Sequence, residues 1–190
     1  MNVHSPPEEP KRDSARTRER ILRAAQMLFA RQGYTTTGVR QVAAEAGVNS
    51  TLIRRYFASK EGLFRAAVED MLQVEPFIAG SREDFGRRSV DVLAMGEDLP
   101  SALAMMILAT ADTEVRGLCS ELLHRLIILP LAEWLGGKDA PARAARIDIL
   151  WIGYMAARQV LPLTALETVP ISETRDWLAR TIQAIVDENE

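Results

Sequence analysis

An all-α fold follows from three features of this sequence. Apolar residues recur three and four apart wherever a pattern exists, no segment alternates with period two, and prolines and glycines fall between the periodic segments. With 190 residues and 47% hydrophobic content, the chain is long enough for a small module and a larger one. Charge divides it the same way. Residues 1–65 hold 12 Lys and Arg against 6 Asp and Glu, a balance of +6, while the remainder holds 11 against 20, a balance of −9. A basic head on an acidic body points to a polyanion for the head alone. Because 20 of the 23 basic residues are arginine, arginine content by itself carries little of this argument.

At the start of the chain, residues 1–13, MNVHSPPEEPKRD, hold three prolines and no apolar period, which predicts a disordered arm whose Lys11 and Arg12 add to the attraction for phosphate. Residues 17–33, TRERILRAAQMLFARQG, place Ile21, Leu22, Ala25, Leu28 and Phe29 on one broad face of a helix, with arginines outside it.

The stretch 39–60, VRQVAAEAGVNSTLIRRYFASK, reads as two short helices around a tight turn. Val42, Ala43 and Ala46 share a face of the first, and Gly47 stops it, since glycine enters the left-handed region without the clash a Cβ meets. Thr37, just ahead of Gly38 and Val39, is placed to cap that helix, where its hydroxyl would stand at an N-terminus suited to phosphate. Asn49 is placed as the N-cap of the second helix, with Val48 and Ile53 as a hydrophobic staple. There Ile53 and Phe57 form the buried stripe and leave Ser50, Thr51, Arg54 and Arg55 on other faces, as hydroxyls and guanidinium groups suited to base edges and phosphates. Taken alone, the pattern also fits an amphipathic helical hairpin with a solvated arginine face. Ser59 then caps a helix that starts at Lys60, within reach of the backbone, and carries Leu63, Phe64, Ala67, Val68 and Met71.

Residues 17–68 resemble the N-terminal domain of the tetracycline-repressor (TetR) family of bacterial transcription regulators, through the segments LFARQGY, TGVRQVAAEAGV and YFASKEGLF. The resemblance implies that Asn49, Ser50, Thr51, Arg54, Arg55, Tyr56 and Lys60 hold positions that touch DNA, supported by Thr37 and Arg40. Thr51 and Arg54 depart from the residues common in the family, so the base-reading surface is this chain's own and an operator is not carried over. Tyr56 also fits as a half-buried ring packed against the first helix. The implied organisation is an arm at 1–13, a helix-turn-helix DNA-binding domain at 14–60, and a helical ligand-binding and dimerisation domain at 61–190.

Beyond residue 75 only helices are expected. Pro76 and Gly80 break the long helix, Pro100 and Ser101 open another, and a longer one runs from about 113 to 134 with Pro130 kinking or ending it. Gly136, Gly137 and Pro141 mark a loop before helices at 143–161 and 172–188, which a connection from Pro162 to Pro170 separates. The first of this pair is apolar around more of its circumference than a surface helix. Its Ile149, Gly153, Ala156 and Val160 are spaced to let another helix approach, and Leu178, Ile182 and Ile185 make a stripe on the second. Both stripes would serve to close a monomer core; the resemblance implies instead that they pair with a second copy as a four-helix bundle.

Met95, Met105, Leu122, Leu126, Trp151, Tyr154 and Met155 supply the adaptable apolar walls of a ligand cavity, or an ordinary core, and His124 and Arg158 fall in apolar helices where they would orient a polar group on a ligand, or instead face solvent or satisfy an internal hydrogen bond. The expected function is a ligand-responsive, sequence-specific DNA-binding transcriptional regulator. It would be a cytoplasmic homodimeric repressor released from a palindromic operator in double-stranded DNA by a small, mostly apolar effector. The alternative is a helical ligand carrier or enzyme whose helix-turn-helix is only structural. With two His, one Cys, and no Gly-rich phosphate loop, HExxH or GxSxG motif, no catalytic set, cofactor or metal site is expected. No signal peptide is visible, and the longest uncharged run, 99–111, has 13 residues against the ~20 a bilayer needs. Cys119, alone in an apolar-rich helix, reads as a small buried hydrophobe.

Overall fold

The computed structural model describes residues 9–96 and 101–188. Helix α1 (Glu9–Thr36) begins inside the stretch expected to be a disordered arm, so residues 9–13 belong to it. Pro10 is tolerated there because the first turn of a helix has no intrahelical use for its missing N–H. Residues 1–8 lie outside the described residues. Gly33, at φ 79°, interrupts α1 near its end. A Cβ at Gly33 would stand 3.4 Å from the carbonyl oxygen of Leu108, so the same glycine serves the bend and a close packing contact.

Helices α2 (Val39–Glu45) and α3 (Ser50–Phe57) follow, and α4 (Lys60–Met71) starts after a two-residue turn. Ala58 takes φ 64° there and Ser59 caps α4, its Oγ accepting from Gly62 N–H at 2.9 Å. A Cβ on Gly62 would lie 2.1 Å from the Phe57 carbonyl oxygen, so only glycine lets α4 begin this close to the end of α3. Phe29, Tyr34 and Phe64 join α1 to α4 through ring contacts of 5.2 to 5.8 Å.

The body continues with the single turn α5 (Glu75–Ile78), then α6 (Phe85–Met95), whose boundaries the sequence pattern did not define. Ser101 caps α7 (Ala102–Ala109) through Ala104 N–H, as expected, while Pro100 is outside the described residues. The long helix anticipated around Pro130 is continuous: α8 (Thr113–Leu123) passes through a π-helical turn (His124–Ile128) into α9 (Leu129–Leu135). Leu129 N–H reaches back five residues to the His124 carbonyl, and this wider turn relieves the clash a proline ring makes with regular α-helix. Arg82 and the buried Arg143 both donate to the carbonyls that end α9, including that of Leu135.

Helix α10 (Ala140–Met155) ends in a second π turn (Ala156–Val160), a 3-10 turn (Thr164–Thr168) crosses the connection, and α11 (Ile171–Asp187) closes the chain. Gly86 lets α6 press against α11, where its Cβ would meet the Ala179 carbonyl at 2.2 Å, and its N–H donates to Gln183 Oε1 at 2.9 Å. No described helix is long and apolar enough to cross a membrane.

Candidate nucleic-acid interface and effector cavity

The helix-turn-helix is held from three sides. Gly47 takes φ 62° between α2 and α3, as a glycine turn requires. Arg20 of α1 donates to the carbonyls of Ala46 and Gly47, so the turn is fastened to the helix behind it. Gln32 links α1 to α2 through Thr37 Oγ1 and Gln41. Asn49 Oδ1 accepts from Thr51 N–H at 2.9 Å and from the Thr51 hydroxyl at 2.8 Å, which fixes the first turn of α3. Ile53 and Phe57 are buried as their spacing requires.

On the open side of the head stand Arg40, Asn49, Thr51, Arg54 and Arg55, with Ser50 at the start of α3. Of these all but the half-buried Ser50 are exposed. Tyr56 is a half-buried ring against α1, as its packing alternative expected, and its hydroxyl is 2.9 Å from Ser14 Oγ of that helix. Lys60 is turned inward: its ammonium sits 4.2 Å from the centre of the Tyr34 ring and donates to the Thr35 carbonyl at 3.4 Å, and burial holds its pKa below the usual lysine value.

Thr37 does not cap α2. Gly38 occupies the cap position, and Thr37 is 1% exposed with its hydroxyl donating to the Gly33 carbonyl at 2.7 Å. A polar group buried in that way must be satisfied internally, so Thr37 positions the α1–α2 junction and offers nothing to a phosphate. Sequence reasoning missed Arg20 and Gly62. Neither has a local signal, because each acts on a backbone group that is distant in sequence or hidden until the helices are packed.

The residues expected around a ligand disperse. Met95 is 77% exposed at the end of α6, His124 and Arg158 are exposed as well, and none of the three lines either of the two body cavities described next. Met105, Leu122 and Trp151 are packed in the core and Leu126 is half-buried beside it. Met155 alone of the set lines a cavity of about 320 Å³, between the end of α4 (Met71, Leu72), α5 (Phe77), α6 (Leu93) and the start of α7 (Leu103). Its walls are apolar except for Gln73 and Ser101. Trp151 lies against Phe77, with ring centres 4.2 Å apart and the rings tilted by 30°. The signal that could have found this cavity was in the helix breaks at Pro76 and Gly96, around which it opens.

A larger groove, about 520 Å³, lies between α10 and α11 on the outside and includes Ile149, Gly153, Tyr154, Leu163 and Trp177. Ile149 is 66% exposed and Trp177 54% exposed, an apolar face with no counterpart among the described residues. Gly153 is exposed and Ala156 and Val160 are half-buried along the same helix. Leu178, Ile182 and Ile185, expected on that face, are instead buried in the chain's own core, Leu178 meeting the groove only at its floor. The close approach of α6 at Gly86 turns their stripe inward, and Trp177 takes the outer side of α11.

The model for bacterial regulatory proteins of the tetR family matches residues 21–67, and that for the tetracyclin repressor-like C-terminal domain matches 83–186, more than half of the chain. The chain belongs to the tetR family. Within it, a solved TetR-family regulator from Streptomyces coelicolor is 27% identical over 97% of this chain and 99% of its own, with TM-score 0.61. NalD, the secondary repressor of the MexAB-OprM efflux pump in Pseudomonas aeruginosa, shares the fold at TM-score 0.67 and 19% identity, over 90% of this chain and 95% of its own. The HTH-type transcriptional repressor NicS of Pseudomonas putida is 41% identical over 54 residues, 28% of this chain and 26% of its own length. The curated relatives are thus matched over only about a quarter of their length. Sequence kinship to them is confined to that short stretch, whereas the fold is shared throughout with the solved structures.

Proposed function

We propose that this tetR-family chain is a homodimeric transcriptional repressor that binds a palindromic operator in double-stranded DNA and is released by a small, mostly apolar effector. The observation that carries the reading is α3, capped by Asn49, backed by Ile53 and Phe57, and presenting Arg54 and Arg55 to solvent. Such a helix enters the major groove and reads base edges through its outward side chains. As a protein that works on the chromosome, it acts in the cytoplasm.

The unpartnered face of α10 and α11 supports self-association. Its apolar side chains include an exposed tryptophan, the type of residue that anchors interfaces, and an exposed Gly153 with nothing within 4 Å of a Cβ built on it. Two heads related by a two-fold axis would meet half-sites about 34–36 Å apart.

The effector site is the cavity at the end of α4. Arg65 grips Glu121 at 3.0 and 3.1 Å and Arg125 pairs with Glu69, so the outer side of α4 is tied to α8 and the π turn. A ligand that wedges against Met71 and Leu72 therefore acts on the helix that carries the head. It weakens operator binding to the extent that it prefers the displaced state.

The test is selection of bound duplexes from a random pool by the purified protein, followed by titration of the winning sequence. An inverted repeat bound at least about a thousandfold more tightly than unrelated duplex is expected, on the scale of specific over non-specific binding. Equal affinity for every duplex would defeat the reading.

A further inference from the structure

Helix α1 brings two groups to the recognition helix. Ser14 Oγ and Tyr56 OH are 2.9 Å apart, which ties an early turn of α1 to the C-terminal end of α3. One turn further on, the Arg18 guanidinium carbon lies 5.2 Å from the centre of the Phe57 ring. Phe57 is buried and Arg18 is exposed, so the guanidinium covers the ring and keeps contact with solvent. Among the described residues no carboxylate lies within ion-pair distance of Arg18.

We propose that Ser14, Arg18 and Tyr56 form a seat for a DNA backbone phosphate beside the groove that α3 reads. The proposal rests on the reading of the head as a duplex-DNA binder. Between two hydroxyls one proton makes the mutual hydrogen bond, which leaves the accepting hydroxyl's own proton for a phosphate oxygen. A guanidinium lying on an aromatic face is already confined and keeps its in-plane N–H groups for an anion. Together they offer charge and directed donors where Tyr56 alone offers one hydroxyl, and the site needs no base-specific geometry.

A phosphate seat has a distinct signature. Arg18→Gln in the full-length protein should weaken binding roughly tenfold on operator and unrelated duplex alike, the effect of losing one charge-assisted contact. The slope of log affinity against log salt should become shallower by about one. Arg18→Lys, which restores the charge, should recover the slope. If Arg18 only packs on Phe57, the melting temperature falls while the salt slope stays at its wild-type value, and the proposal is overturned.

Ser14→Ala removes the hydroxyl pair without touching the Phe57 contact and serves as the second variant. Ethylation of one phosphate per half-site should block the wild type yet be tolerated by Ser14→Ala, whereas identical interference patterns for both would overturn the seat even if Arg18→Gln does not fold. Arg55→Ala on the same duplexes separates the two readings. A wild type that binds no duplex removes both, whereas loss on Arg55→Ala with unchanged affinity and slope for Arg18→Gln removes the seat alone.

Discussion

Replacing Asp148 by Asn should make the protein more stable at pH 8 and change it little in acid. Asp148 lies on α10 at 6% exposure, and its Oδ1 has no hydrogen-bond partner among the described residues. Burial pushes its carboxyl up to about 7 from an ordinary value of 3.8. Between those two values the folded chain holds a proton that the unfolded chain has released. Stability from this group is therefore highest below pH 3.8, declines as the pH rises, and levels off above about 7. A gap of about three units at roughly 1.4 kcal/mol each puts the cost of the buried charge on the order of 4 kcal/mol at pH 8. Asparagine does not titrate. Urea denaturation of both proteins from pH 5 to 8, at one fixed protein concentration, isolates the group as the difference between two curves. That difference should grow in favour of the Asp148→Asn variant by roughly 1.4 kcal/mol per pH unit until it flattens near neutrality. A difference that stays constant across the range would refute the assignment.

Gly62→Ala should destabilise the head by at least about 2 kcal/mol, because its Cβ meets the Phe57 carbonyl and not a movable side chain; a melting curve that overlays the wild type would contradict this. Gly47→Ala should cost about 1–2 kcal/mol, since φ 62° is left-handed and Arg20 Nη2 would stand 3.0 Å from the new Cβ, and calorimetry reads it directly. Trp177→Glu together with Ile149→Glu should yield a folded monomer in sedimentation, and an intact dimer would move the interface away from α10 and α11. Cys119, buried with its thiol pushed up to about 11, should resist alkylation at pH 8 until the chain unfolds, so stoichiometric labelling of the native protein would overturn its placement.

The head was legible because its instructions are local. Gly47, Asn49 and Ser59 each govern backbone within three residues of themselves, and all three act in the structure as the sequence implied. Thr37 failed by one position: the extended backbone at Gly38 makes the cap, and the threonine one step earlier falls into the interior. The body was less legible since α10 and α11 are apolar on more than one side. Period alone cannot tell which stripe meets the chain's own core, and it was the packing of α6 at Gly86 that turned Leu178, Ile182 and Ile185 inward. The cavity escaped for a related reason. Met95 and Met155 look alike in sequence, but one ends a helix in solvent and the other faces the gap left where α5, α6 and α7 meet.

With two residues joining α3 to α4 and no room for even a methyl group between Gly62 and the Phe57 carbonyl, the two helices meet in direct backbone contact, and a movement of α4 is passed to the recognition helix over the shortest of connections. Helix α4 has 12 residues and is therefore about 18 Å long. A tilt of about 10° at the Met71 end swings the Lys60 end through roughly 3 Å, close to the rise of one base pair along duplex DNA. The joint converts a slight change of angle in the body into a shift of register on the groove.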